Sequence, residues 1–198
     1  MERKRRRRTR NRSGYHKDEF NLKDFLRELG RWGIAILVAV ILGYSLVTFG
    51  CQSVKMVGQS MEPIISNNDT LLINKAAYIF SPPKRYDIVA FKLKQETDGY
   101  FNIKRVIGLP EENVRIINGK IYINDNVLAD MPFDTLIMTE GLAYDGVTLG
   151  KDEYFVIGDN CNNSEDSRFV NVGNLVRREI TGKVIFRIAP KEAWGKIP

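Results

Sequence analysis

The sequence predicts a mainly β domain that follows a single apolar helix. Seven runs rich in β-branched and aromatic residues come after position 69, and turn-forming residues separate them. The pair Asn118-Gly119 stands between two of these runs and predicts a β-hairpin, because both residues tolerate the positive φ of a type I′ turn. An apolar run without charge, 32–50, lies much earlier in the chain.

The predicted strands are 70–73, 87–91, 101–107, 114–117, 120–123, 154–157 and 180–188. None of them carries a long 3.6-residue period, so the pattern favours strands over helices. With 198 residues, the chain has the length of one domain plus appendages.

Residues 1–20 predict a disordered basic tail. Eight of the first twelve residues are Arg or Lys, a density that a packed core does not accommodate. Before Trp32 there are twelve Lys or Arg and five Asp or Glu, a net charge of +7 against +6 for the whole chain. The rest of the chain is therefore close to neutral. A domain that gripped nucleic-acid phosphates would carry its own basic face, so we expect no nucleic-acid partner.

The apolar run 32–50 predicts a transmembrane helix, because about 19 residues at about 1.5 Å per residue span roughly the hydrocarbon thickness of a bilayer. Residues 21–31 predict an interfacial amphipathic helix, since their apolar side chains recur at i, i+3, i+4 and i+7. These side chains are Leu22, Phe25, Leu26 and Leu29. Basic residues precede the run and few follow it, which predicts a cytoplasmic N-terminus and an extracytoplasmic domain over 51–198.

Other roles for this N-terminus fit less well. A cleavable signal peptide has small residues before the cut, whereas residues 46–49 are mostly bulky. Gly50-Cys51 faintly resembles a lipoprotein processing site, but the residues before it fit poorly. A disulfide between Cys51 and Cys161 is an option outside the cell, although nothing in the sequence brings them together. Two cysteines without metal-type spacing do not make a zinc site, and we expect no metal and no cofactor.

Ser60 and Lys104 are the leading candidates for catalytic residues. Each lies in a short segment typical of an active-site wall, VGQSMEP at 57–63 and YFNIKRVIGLP at 100–110. The only histidine, His16, lies in the charged tail, so a Ser-His-Asp triad cannot be assembled and lysine is the remaining strong base. The pair suggests a serine protease with a lysine base. The alternative is that the serine is a turn residue before a proline and the lysine an exposed strand residue.

A polar loop after a predicted strand is the next candidate segment. Its sequence, GDNCNNSEDSRF, occupies 158–169. Alone, such a loop could be a solvated turn, as most polar loops are. The loop becomes a candidate part of an active site only in combination with the two segments before it.

With these segments in this order, the chain resembles the bacterial type I signal peptidases in their short Gram-positive form. The matching motifs are GxSMxP, Asp69-Thr70-Leu71, Arg85-x-Asp87-Ile88-Val89, KRVIGLP, GDN, SxDSR and Gly182-Lys183-Val184. The resemblance covers nearly everything from the apolar run to the C-terminus. It implies removal of signal peptides from exported preproteins at the outer membrane face, with signal peptides and membrane lipids as partners. It also implies a β-rich catalytic core with a smaller inserted β region, at about 110–153.

The resemblance further implies residue roles. Ser60 is the nucleophile, and Lys104 is the general base. That base must be neutral to accept the serine proton, so burial is expected to lower its pKa from the usual value of about 10.4. Ser164 matches the serine that orients the lysine ammonium. The residues expected to brace the loop are Asp159, Asp166 and Arg168.

The implied oxyanion hole is incomplete in sequence. Hydrogen-bond donors must meet the charge that develops on the scissile carbonyl, and the backbone N–H of Ser60 is one donor by resemblance. Gly58 stands where other family members carry a hydroxyl, so a backbone group or a water would have to supply the second donor. Five residues depart from the usual family pattern without being proposed catalytic groups: Ile64 stands for a threonine, Tyr86 for a glycine, Glu111-Glu112 for Gly-Asp and Cys161 for an arginine.

Two functions of other classes stay open at this point. A membrane-anchored β-rich binding module would need neither Ser60 nor Lys104. An autoproteolytic regulator of the SOS-repressor kind would share a Ser/Lys dyad, but it would also need a DNA-binding domain and a self-cleavage site. The basic tail and the apolar run argue against that second function.

Overall fold

The computed structural model describes residues 22–93, 100–133 and 136–197. Within these residues, one α-helix and twelve strands are present, and the strands form two antiparallel sheets. The predicted mainly β class is confirmed. The predicted basic tail, 1–20, lies outside the described residues.

The α-helix, α1, spans Leu22–Gly50. The sequence predicts two helices with different roles that meet between positions 31 and 32, but the backbone is helical across that boundary. No proline interrupts this segment, and its Leu, Ala, Glu and Arg residues favour helix on both sides of the boundary. Asp24 lies in the first turn, where a negative charge interacts favourably with the helix dipole.

The transmembrane helix predicted over 32–50 is not confirmed. Within the described residues, no helix is both long enough and apolar enough to cross a membrane. Arg27, Glu28 and Arg31 occupy the part of α1 before the apolar run. The described residues form two compact units, which divide between Gly43 and Tyr44.

All seven predicted strands are present. The strands are β1 (Cys51–Lys55), β2 (Thr70–Asn74), β3 (Ile88–Phe91), β4 (Asn102–Gly108), β5 (Asn113–Ile117), β6 (Lys120–Ile123), β7 (Asn126–Val127), β8 (Val147–Thr148), β9 (Glu153–Ile157), β10 (Leu175–Val176), β11 (Ile180–Ala189) and β12 (Gly195–Lys196). The sequence missed β1 and four strands of two residues each, which are too short to carry a periodic pattern.

The larger sheet has the strand order β1-β2-β11-β3-β4-β9-β10, with β12 paired to β11. Its central strand β3 is buried along its whole length. Ile88 and Ala90 belong to one hydrophobic cluster, whereas Val89 and Phe91 belong to another, as the two-residue period of a strand requires. Side chains therefore cover both faces of this sheet, and its middle is the most protected part of the fold.

The smaller sheet has the order β7-β6-β5-β8 and lies between β4 and β9 in the chain. It falls within 110–153, where the sequence predicts inserted β structure. The β5–β6 hairpin turns at Asn118 and Gly119, whose φ angles of 50° and 75° are both positive. The hairpin predicted from this residue pair is confirmed.

Candidate active site

The structure brings Ser60 and Lys104 into direct contact. The Lys104 Nζ donates a hydrogen bond to the Ser60 Oγ at 2.7 Å. Lys104 is only 4% exposed, so the alternative of an exposed strand lysine is wrong. Ser60 is half-buried. The two residues predicted from separate segments thus form one site.

Lys104 lies in the middle of the larger sheet, which fixes its position. It lies on β4, where it pairs with Val89 of β3, and β9 flanks β4 on the other side. Ile103, Val106 and Ile107, its apolar neighbours on the same strand, are fully buried. A lysine on a strand with partners on both sides has a fixed backbone, so only its side chain can adjust.

Ser60 lies in a short segment between β1 and β2. The segment turns at Gly58, whose φ of 91° favours glycine, and Met61 directly after the serine is buried in the core. The Gly58 N–H donates to the Asn67 Oδ1 at 3.1 Å. This contact ties the start of the serine segment to its far end. It also occupies the N–H of Gly58, the residue that stands in place of the family hydroxyl.

The polar loop after β9 holds the other side of the serine segment. The Asn160 N–H donates to the Ser60 carbonyl at 3.0 Å, and the Asn160 Nδ2 donates to the Gln59 carbonyl at 3.1 Å. The Asn163 Nδ2 donates to the Gln59 Oε1 at 3.3 Å. The sequence missed these three residues, because amides in a polar loop resemble any solvated turn.

Gly158 permits the close approach of the loop. A Cβ atom on this residue would lie 2.3 Å from the Ser164 Oγ and 2.4 Å from the Ser60 carbonyl oxygen. Neither distance is compatible with a side chain, so glycine is required for spatial reasons here. The GDN motif contained this residue, but the sequence did not indicate what it touches.

Ser164, expected to orient the lysine, is a donor to Asp166. The Ser164 Oγ lies 2.8 Å from the Asp166 Oδ2, which also accepts the Gly158 N–H at 3.1 Å. The structure therefore links Ser164 to the bracing carboxylate of its own loop. Its contact with Lys104 stays a prediction.

Two buried ion pairs brace the loop. The Arg168 Nε and Nη2 donate to the two Asp166 carboxylate oxygens at 2.8 and 2.9 Å. The Arg105 Nε and Nη2 donate in the same way to Asp159 at 2.7 and 2.6 Å. Arg105 directly follows Lys104 on β4, so its pair ties the loop to the strand that carries the lysine. The sequence singled out Asp159, Asp166 and Arg168 as bracing residues but missed Arg105.

Cys161 replaces a family arginine within this loop and packs as an apolar residue. It is buried in the hydrophobic cluster of the smaller sheet, and burial raises the pKa of its thiol. Cys51 and Cys161 are not joined by a disulfide. The thiol of Cys161 therefore adds no negative charge to this loop near neutral pH.

The chain shares its sequence pattern with a known family over most of its length. The model of the family described as "Signal peptidase, peptidase S26" matches residues 29–189. The "Probable signal peptidase I-2" of Synechocystis sp. is 34% identical over 174 residues, which cover 85% of this chain and 75% of that protein. The "Signal peptidase I P" of Bacillus subtilis subsp. natto is 32% identical over 167 residues, which cover 80% of this chain and 88% of that protein.

A solved structure of a signal peptidase I from Enterococcus faecalis V583 overlaps part of the chain. The overlap covers 52% of this chain and 97% of that one, at 28% identity and a TM-score of 0.42.

Proposed function

The chain belongs to the signal peptidase family, peptidase S26, and is a serine endopeptidase that removes signal peptides; we propose that Ser60 is its nucleophile and Lys104 its general base. The observation that carries this proposal is the 2.7 Å contact between the Lys104 Nζ and the Ser60 Oγ. It lies within the range expected of a nucleophile and its activating base.

Catalysis uses this contact in the reverse direction. A neutral Lys104 takes the hydroxyl proton as the Ser60 Oγ attacks the scissile carbonyl carbon, and the resulting ammonium then protonates the leaving amine. The neutral Lys104 amine next takes a proton from a water, whose oxygen attacks the ester carbonyl carbon. The Lys104 ammonium returns that proton to the Ser60 Oγ as the ester C–O bond breaks, which frees the serine. Because the lysine is almost fully buried, desolvation favours the neutral amine that this sequence of steps needs.

The Ser60 N–H is the proposed donor to the oxyanion. The N–H of Gly58 is occupied by the Asn67 side chain, so it is not the second donor in this arrangement. Asn160 contributes differently, because its contacts go to the carbonyls of Ser60 and Gln59 and hold the nucleophile segment in place. Asn160, Asn67 and Gly158 are therefore positioning residues in this proposal.

The substrate binds as an extended strand. The strand β1 leads into the serine segment and is the outermost strand of the larger sheet, so one of its edges has no partner strand among the described residues. A peptide can add to such an edge by backbone hydrogen bonds, and pockets for alternate side chains then give specificity. The cleavage site would lie where β1 ends, beside Ser60.

The protein acts at a membrane, with its N-terminus in the cytoplasm. Large apolar side chains of α1 are exposed, among them Ile34, Leu37 and Leu42. They lie after the basic N-terminal residues and before a segment with few Lys or Arg, the charge order of a cytoplasmic N-terminus. Residues 51–198 would then work on the extracytoplasmic face.

One cleavage assay tests the proposal. Full-length protein and the Ser60→Ala variant are compared on a synthetic preprotein, with Ser81→Ala as the control because Ser81 is exposed and lies outside β1 and the serine segment. We expect Ser60→Ala to lose several orders of magnitude in turnover and Ser81→Ala to keep wild-type turnover. Retention of more than about a tenth of the activity in Ser60→Ala would refute the nucleophile assignment. It would also favour the binding-module alternative, which does not need the serine.

A further inference from the structure

A basic cavity lies beside the turn that follows β2. Its volume is about 340 Å³. The residues that line it are Lys75, Tyr78, Ile79, Asp152, Arg177, Arg178 and Ile180. Three cations against one carboxylate give the lining a net positive charge. Neither Ser60 nor Lys104 lines this cavity, so it is separate from the catalytic dyad.

Two of the three cations are available for a ligand. The Arg177 Nη2 is engaged, because it donates to the carbonyls of Tyr78 at 2.5 Å and Ser81 at 3.3 Å. Lys75 and Arg178, by contrast, have no side-chain hydrogen bond or ion pair to any residue within the described ranges. Cations without an acidic partner gain from a bound anion, and a phosphate offers several acceptor oxygens at once.

Exposed apolar side chains border the cavity. Ile79 is 64% exposed and Phe80 is 96% exposed. The turn that carries them is held in place, because the Ile79 N–H donates to the Ala76 carbonyl at 3.1 Å and Arg177 binds the Tyr78 carbonyl. An aromatic side chain that is almost wholly exposed on such a turn, next to cations without an acidic partner, is the composition of a membrane-surface contact.

The position of the cavity favours a lipid over a soluble anion. The Lys75 N–H donates to the carbonyl of Gly50 at 2.8 Å, and Gly50 is the last residue of α1. In the adjoining strands, Cys51 pairs with Asn74, directly before the cavity lysine. The cavity therefore lies at the end of the sheet where the apolar helix joins it.

We propose that this cavity binds the phosphate of an anionic lipid headgroup through Lys75 and Arg178, while Ile79 and Phe80 insert among the acyl chains. The inference rests on the membrane location given under the proposed function and is independent of the dyad. It assigns these four residues to holding the catalytic domain at the lipid surface.

Photocrosslinking of a lipid tests the assignment. The full-length protein is reconstituted in phosphatidylcholine vesicles that contain a photoactivatable phosphatidylglycerol, and mass spectrometry locates the adducts after irradiation and proteolysis. Adducts on 75–80 and 177–180 are expected. Lys75→Gln and Arg178→Gln should each lower the adduct yield there about fivefold, since each cation near an anionic surface favours binding by about that factor. Lys120→Gln is the matched control, because Lys120 is exposed on the smaller sheet.

Because adducts are assigned to individual peptides, any lipid contact of the basic tail is counted separately from the contacts at 75–80 and 177–180. An equal yield with a photoactivatable phosphatidylcholine, or a yield unchanged by both variants, would overturn the proposal. Protection by soluble glycerol 3-phosphate at the lipid's concentration would overturn it as well and indicate a site for free phosphate esters. Preprotein cleavage measured in the same vesicles keeps the two proposals apart. Cleavage without local adducts refutes the lipid site alone, and local adducts together with cleavage by Ser60→Ala refute the dyad assignment alone.

Discussion

Tyr86 and Glu111 stand where the family pattern has glycine, and their backbones keep a glycine-like conformation. Their φ angles are 71° and 67°. A residue with a Cβ atom pays roughly 1–2 kcal/mol for this left-handed region. The side chain of Tyr86 packs against the core of the smaller sheet, whereas Glu111 is exposed. The cost is therefore compensated by packing at the tyrosine but not at the glutamate.

Glu111→Gly should raise the free energy of unfolding. Relief of the left-handed strain is worth roughly 1–2 kcal/mol, and the greater freedom of glycine in the unfolded chain offsets about 0.5–1 kcal/mol of it. The control is Glu140→Gly, since Glu140 has a φ of −76° and offers no strain to relieve. Urea denaturation should show a gain for Glu111→Gly and a loss for Glu140→Gly. A loss in both variants would mean that Glu111 is not strained.

Tyr78 should make stability depend on alkaline pH. Burial, followed by the nearby Asp87 carboxylate that accepts the Tyr78 hydroxyl at 3.0 Å, raises the pKa of Tyr78 above its ordinary value of 10.0. The folded protein thus keeps a proton that the unfolded chain releases. The contribution is fully present below pH 10.0 and is lost as pH rises further, by at most about 1.4 kcal/mol per pH unit.

The comparison is between wild type and Tyr78→Phe, by urea denaturation at a series of pH values on both sides of the tyrosine pKa. The phenylalanine variant should show a shallower fall in the free energy of unfolding on the alkaline side. Other groups, including Tyr154 and Cys161, also have a pKa raised by burial, so some slope should remain. Equal slopes in the two proteins would show that Tyr78 titrates alike in the folded and unfolded chains.

At the scale of elements, the loop after β9 depends on its buried ion pairs. Asp159→Asn removes the charge that compensates the buried Arg105 and should lower the free energy of unfolding by about 3–5 kcal/mol. Asp125→Asn is the matched control, because Asp125 is exposed and lies 3.8 Å from Arg115. That change should cost less than about 1 kcal/mol. Thermal or urea unfolding measures the loss in free energy of unfolding for each variant. Similar losses would show that the Arg105–Asp159 pair does not brace the loop.

The strands could be predicted wherever side-chain chemistry repeats locally. The runs of Val, Ile, Phe and Tyr in β3, β4 and β9 report buried strands, and Asn118-Gly119 reports the hairpin turn. The strand β1 escaped prediction because its sequence, CQSVK, mixes polar and apolar residues at an exposed edge. The backbone of α1 is continuous across the boundary predicted between positions 31 and 32, because a change from charged to apolar residues alters the surroundings of a helix without breaking its hydrogen bonds.

The candidate site was predictable where short motifs carry its residues. Ser60 and Lys104 each lie in such a motif, and the structure brings them together. The contacts around them join distant segments: Arg105 to Asp159, 54 residues apart, and Asn160 to Gln59, 101 residues apart. Pairing at such separations leaves no periodic signal in a single sequence, so these residues needed the structure.

For the whole molecule, the charge asymmetry around α1 predicts the topology. Protease added to intact protoplasts should digest the region after Cys51 and leave the arginine-rich tail protected, because basic residues remain on the cytoplasmic side. Antibodies against each end of the chain detect separately whether the tail and the region after Cys51 are digested. Permeabilised protoplasts serve as the control, since both ends should then be digested. A tail digested in intact protoplasts would contradict the proposed orientation.

The central claim is that a neutral Lys104 activates Ser60, and the pH dependence of kcat/KM tests it most directly. Wild type and Lys104→Arg are compared on a synthetic preprotein from about pH 6 to about pH 10. Wild-type kcat/KM should rise with pH, because the lysine must lose its proton before it can accept one from the serine. Arginine keeps the charge and the hydrogen-bond donors but does not deprotonate, so Lys104→Arg should be several orders of magnitude less active at every pH. A flat wild-type profile, or more than about a tenth of wild-type activity in Lys104→Arg, would contradict the lysine mechanism.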